Sequence, residues 1–212
     1  RVEQTKPQQA ERPEVQPDKA PQTTEAGMGK VTRTAADRRS FYNHQDDGKS
    51  CSAFAMGMLH ADQVTGRPMN YGRETHSFKE LAGVTNHGYR GTLETMANQL
   101  RSLDLKAKAY DYGFGNVGPK AMQDLNKELD QGRSAVAKVI NPHTGNAHYI
   151  YIAGRDSNGR YIIGDPDRHN NSAFGHDKPV EPERLMRMMG PRNGFVVAWS
   201  DNTAQTRMAR SR

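Results

Sequence analysis

The sequence is short of cysteine, of long apolar runs and of metal-binding motifs, and each shortage excludes a class of protein. Cys51 is the only cysteine among 212 residues, so no disulfide within the chain can stabilise the fold. No stretch approaches the ~18 consecutive apolar residues of a membrane-spanning helix, and no signal-peptide core stands at the start. There is no His-Glu-x-x-His motif and no complete phosphate-binding loop. We therefore expect no membrane span, no metal and no cofactor.

The net charge of +6 does not come from a basic patch. Residues 36–200 carry 21 basic and 18 acidic side chains, which are interspersed and include no run of five basic residues. Zinc-knuckle and aromatic RNA-binding signatures are also missing. We therefore expect no nucleic-acid partner and interpret the mild basicity as that of a solvated surface.

Composition divides the chain into three parts. Residues 1–35 hold four prolines, five glutamines and almost no large apolar side chain, and such segments bury too little surface to offset their ordering entropy. We predict a disordered linker over 1–35, one folded domain over 36–200 and a disordered basic tail over 201–212. Because the chain begins with Arg1, we expect the linker to join the domain to an upstream delivery module.

The hydrophobic period changes from helical to strand-like along the predicted domain. Apolar spacing and capping residues predict helices over 51–64, 75–81, 93–103, 119–131 and 182–189. Alternation predicts strands over 106–112, 134–140, 147–153, 160–164 and 194–200, with a tight turn at 157–159. Helices dominate the first half and antiparallel strands the second, which indicates an α+β fold class.

The predicted start of the first helix gives Cys51 the setting of a nucleophile. Ser50 is a suitable N-cap, and a thiol in the first turn lies near unpaired N–H groups and the positive end of the helix dipole. Both favour the thiolate form. Gln45, six residues upstream, can offer its side-chain amide to an oxyanion formed beside the sulfur. A lone cysteine is more often a small buried hydrophobe, so this hypothesis requires a base nearby.

His148 is the histidine best placed to be that base, because it begins a strand directly after a loop of turn-forming residues. Asp165 ends the following strand, and the tight turn between the two strands brings it beside His148. We predict that Asp165 orients the His148 ring and that the ring faces Cys51. His143 is the nearest alternative base, and Asp167 is the alternative carboxylate.

Three motifs, in this order, resemble those of the papain-like cysteine peptidases. They are Gln45 six residues before Cys51, then Gly145-Asn146-Ala147-His148 before an alternating strand, then Gly164-Asp165-Pro166. The resemblance spans about residues 40–200 and is closest to the bacterial peptidase domains of ABC exporters that process bacteriocin leaders. It implies a papain-like fold, in which the nucleophile helix packs on a C-terminal antiparallel sheet. It also implies a thiol protease with a catalytic triad of Cys51, His148 and Asp165, and with Gln45 as oxyanion donor.

The neighbours of the nucleophile depart from that branch. Ser50 stands where those domains usually have Asp, and Ser52 where they usually have Gly. No ABC-transporter segment follows in the sequence. A papain-like domain behind a Pro/Gln-rich linker resembles secreted bacterial effector or toxin modules, which implies delivery into a target cell, activity under reducing conditions and an immunity protein as partner.

Three functions are open from the sequence. The first is a peptidase whose substrate is a protein or peptide. The second is a deamidase, acyltransferase or cell-wall amidase, which would use the same triad on another substrate or acceptor. The third is a non-catalytic binding module in which Cys51 serves only for packing.

Overall fold

Helices dominate the first half and strands the second half of the computed structural model, which describes residues 42–70, 72–113, 118–167, 179–190 and 194–201. The helices are α1 (Cys51–His60), α2 (Arg73–Leu81), α3 (Leu93–Arg101), α4 (Gly118–Asp130) and α5 (Pro182–Met189). The strands are β1 (Lys106–Tyr110), β2 (Ser134–Ile140), β3 (Ala147–Arg155), β4 (Tyr161–Gly164) and β5 (Phe195–Trp199). Every predicted element is present, within a few residues of its predicted bounds.

The five strands form one sheet in the order β1-β5-β2-β3-β4, with antiparallel pairing throughout. Alternate residues of β3 contribute to two separate cores. Tyr149 and Tyr151 belong to the core that contains α1 and α3, whereas Ile150 and Ile152 belong to the core that contains α4 and α5. Helices therefore cover both faces of an antiparallel sheet, and the predicted α+β fold class is confirmed.

Helix α1 is buried on all sides. Residues 52–59 are all buried, because the helix packs against β3 and also against α2. Small residues permit this close packing: a Cβ atom on Gly57 would lie only 2.3 Å from the sulfur of Met69. A helix enclosed in this way holds Cys51, its first residue, in a fixed position relative to the sheet.

The helix continues as a π-helical turn, Ala61–Thr65, whose polar side chains fasten it to the sheet. Asp62 and Gln63 are both buried. Asp62 accepts hydrogen bonds from the hydroxyls of Ser134 and of Tyr151, the latter at 2.7 Å, and Gln63 donates to Ser134 Oγ at 2.8 Å. These bonds satisfy polar groups that burial would otherwise penalise, and they join the end of α1 to β2 and β3.

A β-bulge sets the register of the β3–β4 hairpin. The register shifts by one residue between Ile152 and Gly154, and the last pair of the ladder is Tyr151 with Gly164. Since a shift of one residue moves every later side chain to the opposite face of the strand, the bulge decides which way the residues after Gly164 point.

The local prediction for the N-cap of α1 needs a correction. Ser50 occupies the N-cap position, but its side chain makes no capping bond to the helix. Its hydroxyl instead donates to Asp47 Oδ2 at 2.7 Å. A capping serine uses its hydroxyl oxygen to accept a helix N–H. Here the hydroxyl is turned toward the preceding turn, where it donates to a carboxylate in a charge-assisted hydrogen bond.

The predicted linker over 1–35 and the predicted tail over 201–212, except for Asp201, lie outside the described residues, so the division into three parts stays a prediction. Within the ranges that are described, no helix combines the length and the apolar character needed to cross a membrane.

Candidate active site

Cys51 lies half-buried beside a cleft of about 730 Å³. Residues 45–48, which lead into α1, line one side of this cleft. The other side is formed by the loop between β2 and β3 and by the start of β3, including His148. Three of the four predicted site residues, namely Gln45, Cys51 and His148, therefore open onto the same cleft.

The fourth predicted site residue, Asp165, lies directly behind His148. The His148 Nε2 atom is 2.7 Å from Asp165 Oδ1, and the two residues are 3% and 0% exposed. Continuing the β3–β4 register one step beyond its last pair would set Asp165 opposite Ile150, so that Asp165 is the diagonal neighbour of His148 on the same side. The bulge in β3 therefore brings the imidazole and the carboxylate together.

Two further contacts hold Asp165 in place. Its Oδ1 atom also accepts the N–H of Asp167 at 2.8 Å, and its backbone carbonyl accepts the hydroxyl of Tyr42 at 2.5 Å. Tyr42 is 123 positions away in the sequence, which is why no local pattern could identify it. A carboxylate fixed at its side chain and its backbone can hold the imidazole in one orientation.

The pKa of His148 is raised from 6.5 to about 10. Burial, the largest single influence, lowers this pKa, but hydrogen bonds to the side chains of Asp165 and Cys51, and the charges of these two groups, outweigh it. Because Nε2 is engaged by Asp165, Nδ1 is the ring nitrogen that remains for the Cys51 thiol. The ring is therefore an imidazolium at neutral pH, which is the partner that a thiolate nucleophile requires.

Gln45 is anchored by its backbone and has an uncommitted side chain. Its N–H donates to the carbonyl of Pro166 at 2.8 Å, so the segment before α1 is tied to the residue that follows Asp165. Its Oε1 atom is buried and has no hydrogen-bond partner among the described residues. Buried amide atoms are seldom left unpaired, and this carbonyl oxygen can accept a hydrogen bond from a donor that enters the cleft.

The alternative residues have other contacts in the structure. Asp167 accepts a hydrogen bond from the Asn141 side chain at 3.1 Å, through Oδ2. The backbone N–H of His143 donates to Asn141 Oδ1 at 2.9 Å, within the loop that forms one wall of the cleft. Asp165 is the carboxylate bonded to His148, and the interactions of His143 build the loop.

Two residues that the sequence did not single out shape the entrance to α1. Asp47 accepts hydrogen bonds from the N–H groups of Lys49 and Ser50, both at 2.8 Å, and Lys79 of α2 reaches it at 3.1 Å. An aspartate followed within three residues by a helix start is a recognisable turn signal, and it could have pointed to Asp47. Lys79 is 32 residues from Asp47 in the sequence, so no local pattern indicates their contact.

Within the residues that the structure describes, no group of three or more His, Cys, Asp or Glu residues has an arrangement that could hold a metal ion.

No protein-family model and no curated protein matches the sequence. In structure, the chain is similar to the peptidase domain of Streptococcus mutans ComA, at 17% identity and a TM-score of 0.47, over 75% of this chain and 97% of that one. It is also similar to UfSP from C. elegans, at 13% identity and a TM-score of 0.44, over 77% of this chain and 33% of that one. A third likeness is to the Pseudomonas avirulence protein AvrPphB, at 11% identity and a TM-score of 0.38, over 78% and 98% of the two chains. At such identities and TM-scores, these likenesses carry no argument about function. The function proposed for this chain therefore rests on the geometry of its site.

Proposed function

We propose that this chain is a cysteine peptidase of papain-like fold, with Cys51 as nucleophile, His148 as acid and base, and Asp165 as the residue that orients the ring. One observation carries the proposal. A buried, protonated imidazole is bonded to a buried carboxylate on one side and faces the only cysteine of the chain on the other, at the wall of an open cleft. A cysteine kept for packing has no need of a protonated histidine beside it.

The reaction begins with attack of the Cys51 thiolate on the carbonyl carbon of the substrate. A C–S bond forms, and the carbonyl oxygen takes the negative charge. The backbone N–H of Cys51 is one of the donors that a helix leaves unpaired in its first turn, and together with the Gln45 amide it can stabilise this oxyanion. His148 then donates its proton to the nitrogen of the leaving amine, and the C–N bond breaks.

The second half of the reaction releases the acyl group. Water loses a proton to the now neutral His148 and attacks the thioester carbon. The C–S bond breaks, the carboxylic acid product leaves, and the thiolate–imidazolium pair is restored. Asp165 keeps the ring in one tautomer and orientation through both halves.

The cleft favours an extended segment of polypeptide as substrate. It has room for several residues, since its volume is at the scale of binding sites for drug-sized ligands. Thr144 and Asn146 line the wall beside His148, and their side chains can hydrogen-bond to the backbone of a bound peptide.

The test compares substrate processing by wild type and by single variants. We expect the wild type, incubated with a cell lysate in a reducing buffer, to generate new protein termini detectable by mass spectrometry. Cys51→Ala and His148→Ala should generate none, because each removes a reacting group. His143→Ala is the matched control, a neighbouring histidine whose backbone builds the loop, and it should retain activity within about threefold.

Other outcomes of the same experiment would overturn the peptidase proposal. Mass shifts of ~1 Da without cleavage, dependent on Cys51, would establish a deamidase, while release of muropeptides from cell walls would establish an amidase. Equal patterns for wild type and Cys51→Ala would leave a non-catalytic module.

The roles as effector or toxin, with a delivery module and an immunity protein, stay predictions drawn from the resemblance. The linker that would join a delivery module lies outside the described residues.

A further inference from the structure

The turn that precedes α1 is held by one carboxylate. Residues 46–49 belong to no helix or strand, so no ladder of backbone hydrogen bonds fixes them. Asp47 Oδ1 accepts the N–H groups of both Lys49 and Ser50 at 2.8 Å, and Oδ2 accepts the Ser50 hydroxyl at 2.7 Å. All three bonds converge on the two residues immediately before Cys51.

The geometry of this turn determines where the backbone N–H of Cys51 points. That N–H belongs to the peptide unit shared with Ser50, and both the N–H and the hydroxyl of Ser50 are fixed by Asp47. The other end of the segment is anchored where the Gln45 N–H donates to Pro166. Along the chain, Asp47 therefore lies between Gln45 and Cys51, whose side-chain amide and backbone N–H would bind the oxyanion.

The charge of Asp47 would oppose an oxyanion if it were left alone, because Asp47 lines the same cleft. Lys79 of α2 removes this conflict. Its Nζ atom lies 3.1 Å from Asp47 Oδ2 and 2.5 Å from Asp46 Oδ1, so one cation compensates both carboxylates at the edge of the cleft. The ion pair also fastens the turn to a helix that packs on α1.

We propose that Asp47, compensated by Lys79, is the positioning residue of the oxyanion hole, holding the turn so that the Cys51 N–H faces the reacting carbonyl. This inference rests on the proposed function, since it assigns a role within that reaction. In this role Asp47 acts through the backbone of Lys49, Ser50 and Cys51.

The test uses two reagents that attack the same sulfur but differ in their need for an oxyanion hole. p-Nitrophenyl acetate acylates a thiolate through a tetrahedral oxyanion, whereas iodoacetamide alkylates it by direct displacement and forms no oxyanion. We expect Asp47→Ala to lower the acylation rate constant by on the order of 10²-fold, as for the loss of one oxyanion donor. The alkylation rate constant should stay within about threefold of wild type, because His148 and Asp165 are unchanged.

Two variants sharpen the comparison. Asp47→Asn retains an oxygen that can accept both N–H groups, so it should restore acylation to within about tenfold of wild type. Asp156→Ala is the matched control. Asp156 also accepts two backbone N–H groups, from Asn158 and Arg160, but at the opposite end of β3 from His148. Its removal should leave both rate constants unchanged.

Equal losses of acylation and alkylation in Asp47→Ala, or no loss of either, would overturn the role of Asp47 while leaving the nucleophile intact. A wild-type Cys51 that iodoacetamide alkylates at pH 6 no faster than it alkylates free glutathione would instead refute the proposed function. If Asp47→Ala does not fold, Lys79→Met carries the test: a selective loss of acylation of about threefold to tenfold is expected, and wild-type rates refute the proposal.

Discussion

At the level of single residues, His148 meets two opposing conditions, since it is buried and yet protonated. Burial alone would lower its pKa and leave the ring neutral. The carboxylate of Asp165 and the thiol of Cys51 reverse this effect because they lie on two sides of the ring. The protonation state that the chemistry requires is therefore a property of the three side chains together.

The raised pKa of His148 predicts a pH dependence of stability. A folded-state pKa of about 10, above the ordinary value of 6.5, gives a stabilising contribution that is complete below about pH 6.5 and is lost as the pH rises through about 10. We expect the melting temperature of the wild type to fall over this range more steeply than that of His148→Gln. Turnover should decline through pH 10 as well, because the neutral ring cannot protonate the leaving amine.

A matched control for this prediction is His76→Gln, which alters an exposed histidine of α2. Its melting temperature should follow the wild-type curve against pH. Parallel curves for wild type and His148→Gln would contradict the assignment of the alkaline loss to His148.

At the level of elements, the π-helical turn after α1 is a polar anchor within an apolar environment. Asp62 and Gln63 enter the interior, where Ser134 of β2 and Tyr151 of β3 meet them. The anchor fixes one end of α1, and the Asp47 turn fixes the other. Helix α1 is thereby held along the length of β3, whose first residues include His148.

Ser134→Ala should therefore destabilise the protein by about 1–3 kcal/mol, because it leaves the buried groups of Asp62 and Gln63 with fewer partners. Chemical unfolding by urea measures this change. Ser77→Ala, which removes an exposed hydroxyl bonded to a carbonyl within α2, should change the free energy of unfolding by no more than about 0.5 kcal/mol. Equal changes in the free energy of unfolding would show that the buried hydrogen bonds of Ser134 stabilise the protein no more than an exposed hydrogen bond does.

For the whole molecule, the presence of a single cysteine means that reduction should affect activity but not stability. With no second cysteine in the chain, dithiothreitol should leave the melting temperature of the monomer unchanged. Activity should nevertheless depend on reduction, since mild peroxide converts a thiolate that opens onto a cleft to sulfenic acid, which dithiothreitol reverses. A melting temperature that falls on reduction, or activity that survives peroxide, would contradict this expectation.

Much of the architecture could be predicted locally, because periodicity and turn residues are local properties. The elements from α1 to β5 follow from them, as does the predominance of helices in the first half and of strands in the second. The all-round burial of α1 was missed, since the enclosing surfaces of α2 and β3 come from distant positions. Ser50 does occupy the N-cap position, but its hydroxyl donates to Asp47 Oδ2 and makes no capping bond to the helix.

The sequence by itself determined the elements of this protein and the identity of its candidate nucleophile, since one cysteine at a helix start leaves no rival. It favoured Asp165 but left Asp167 open, because carboxylates two residues apart point to the same side of an extended chain. Only the tertiary structure separates them: Asp165 Oδ1 lies 2.7 Å from His148 Nε2, whereas Asp167 accepts a hydrogen bond from Asn141. It also supplied Tyr42 and Lys79, whose roles depend on distances in space that no spacing along the chain encodes.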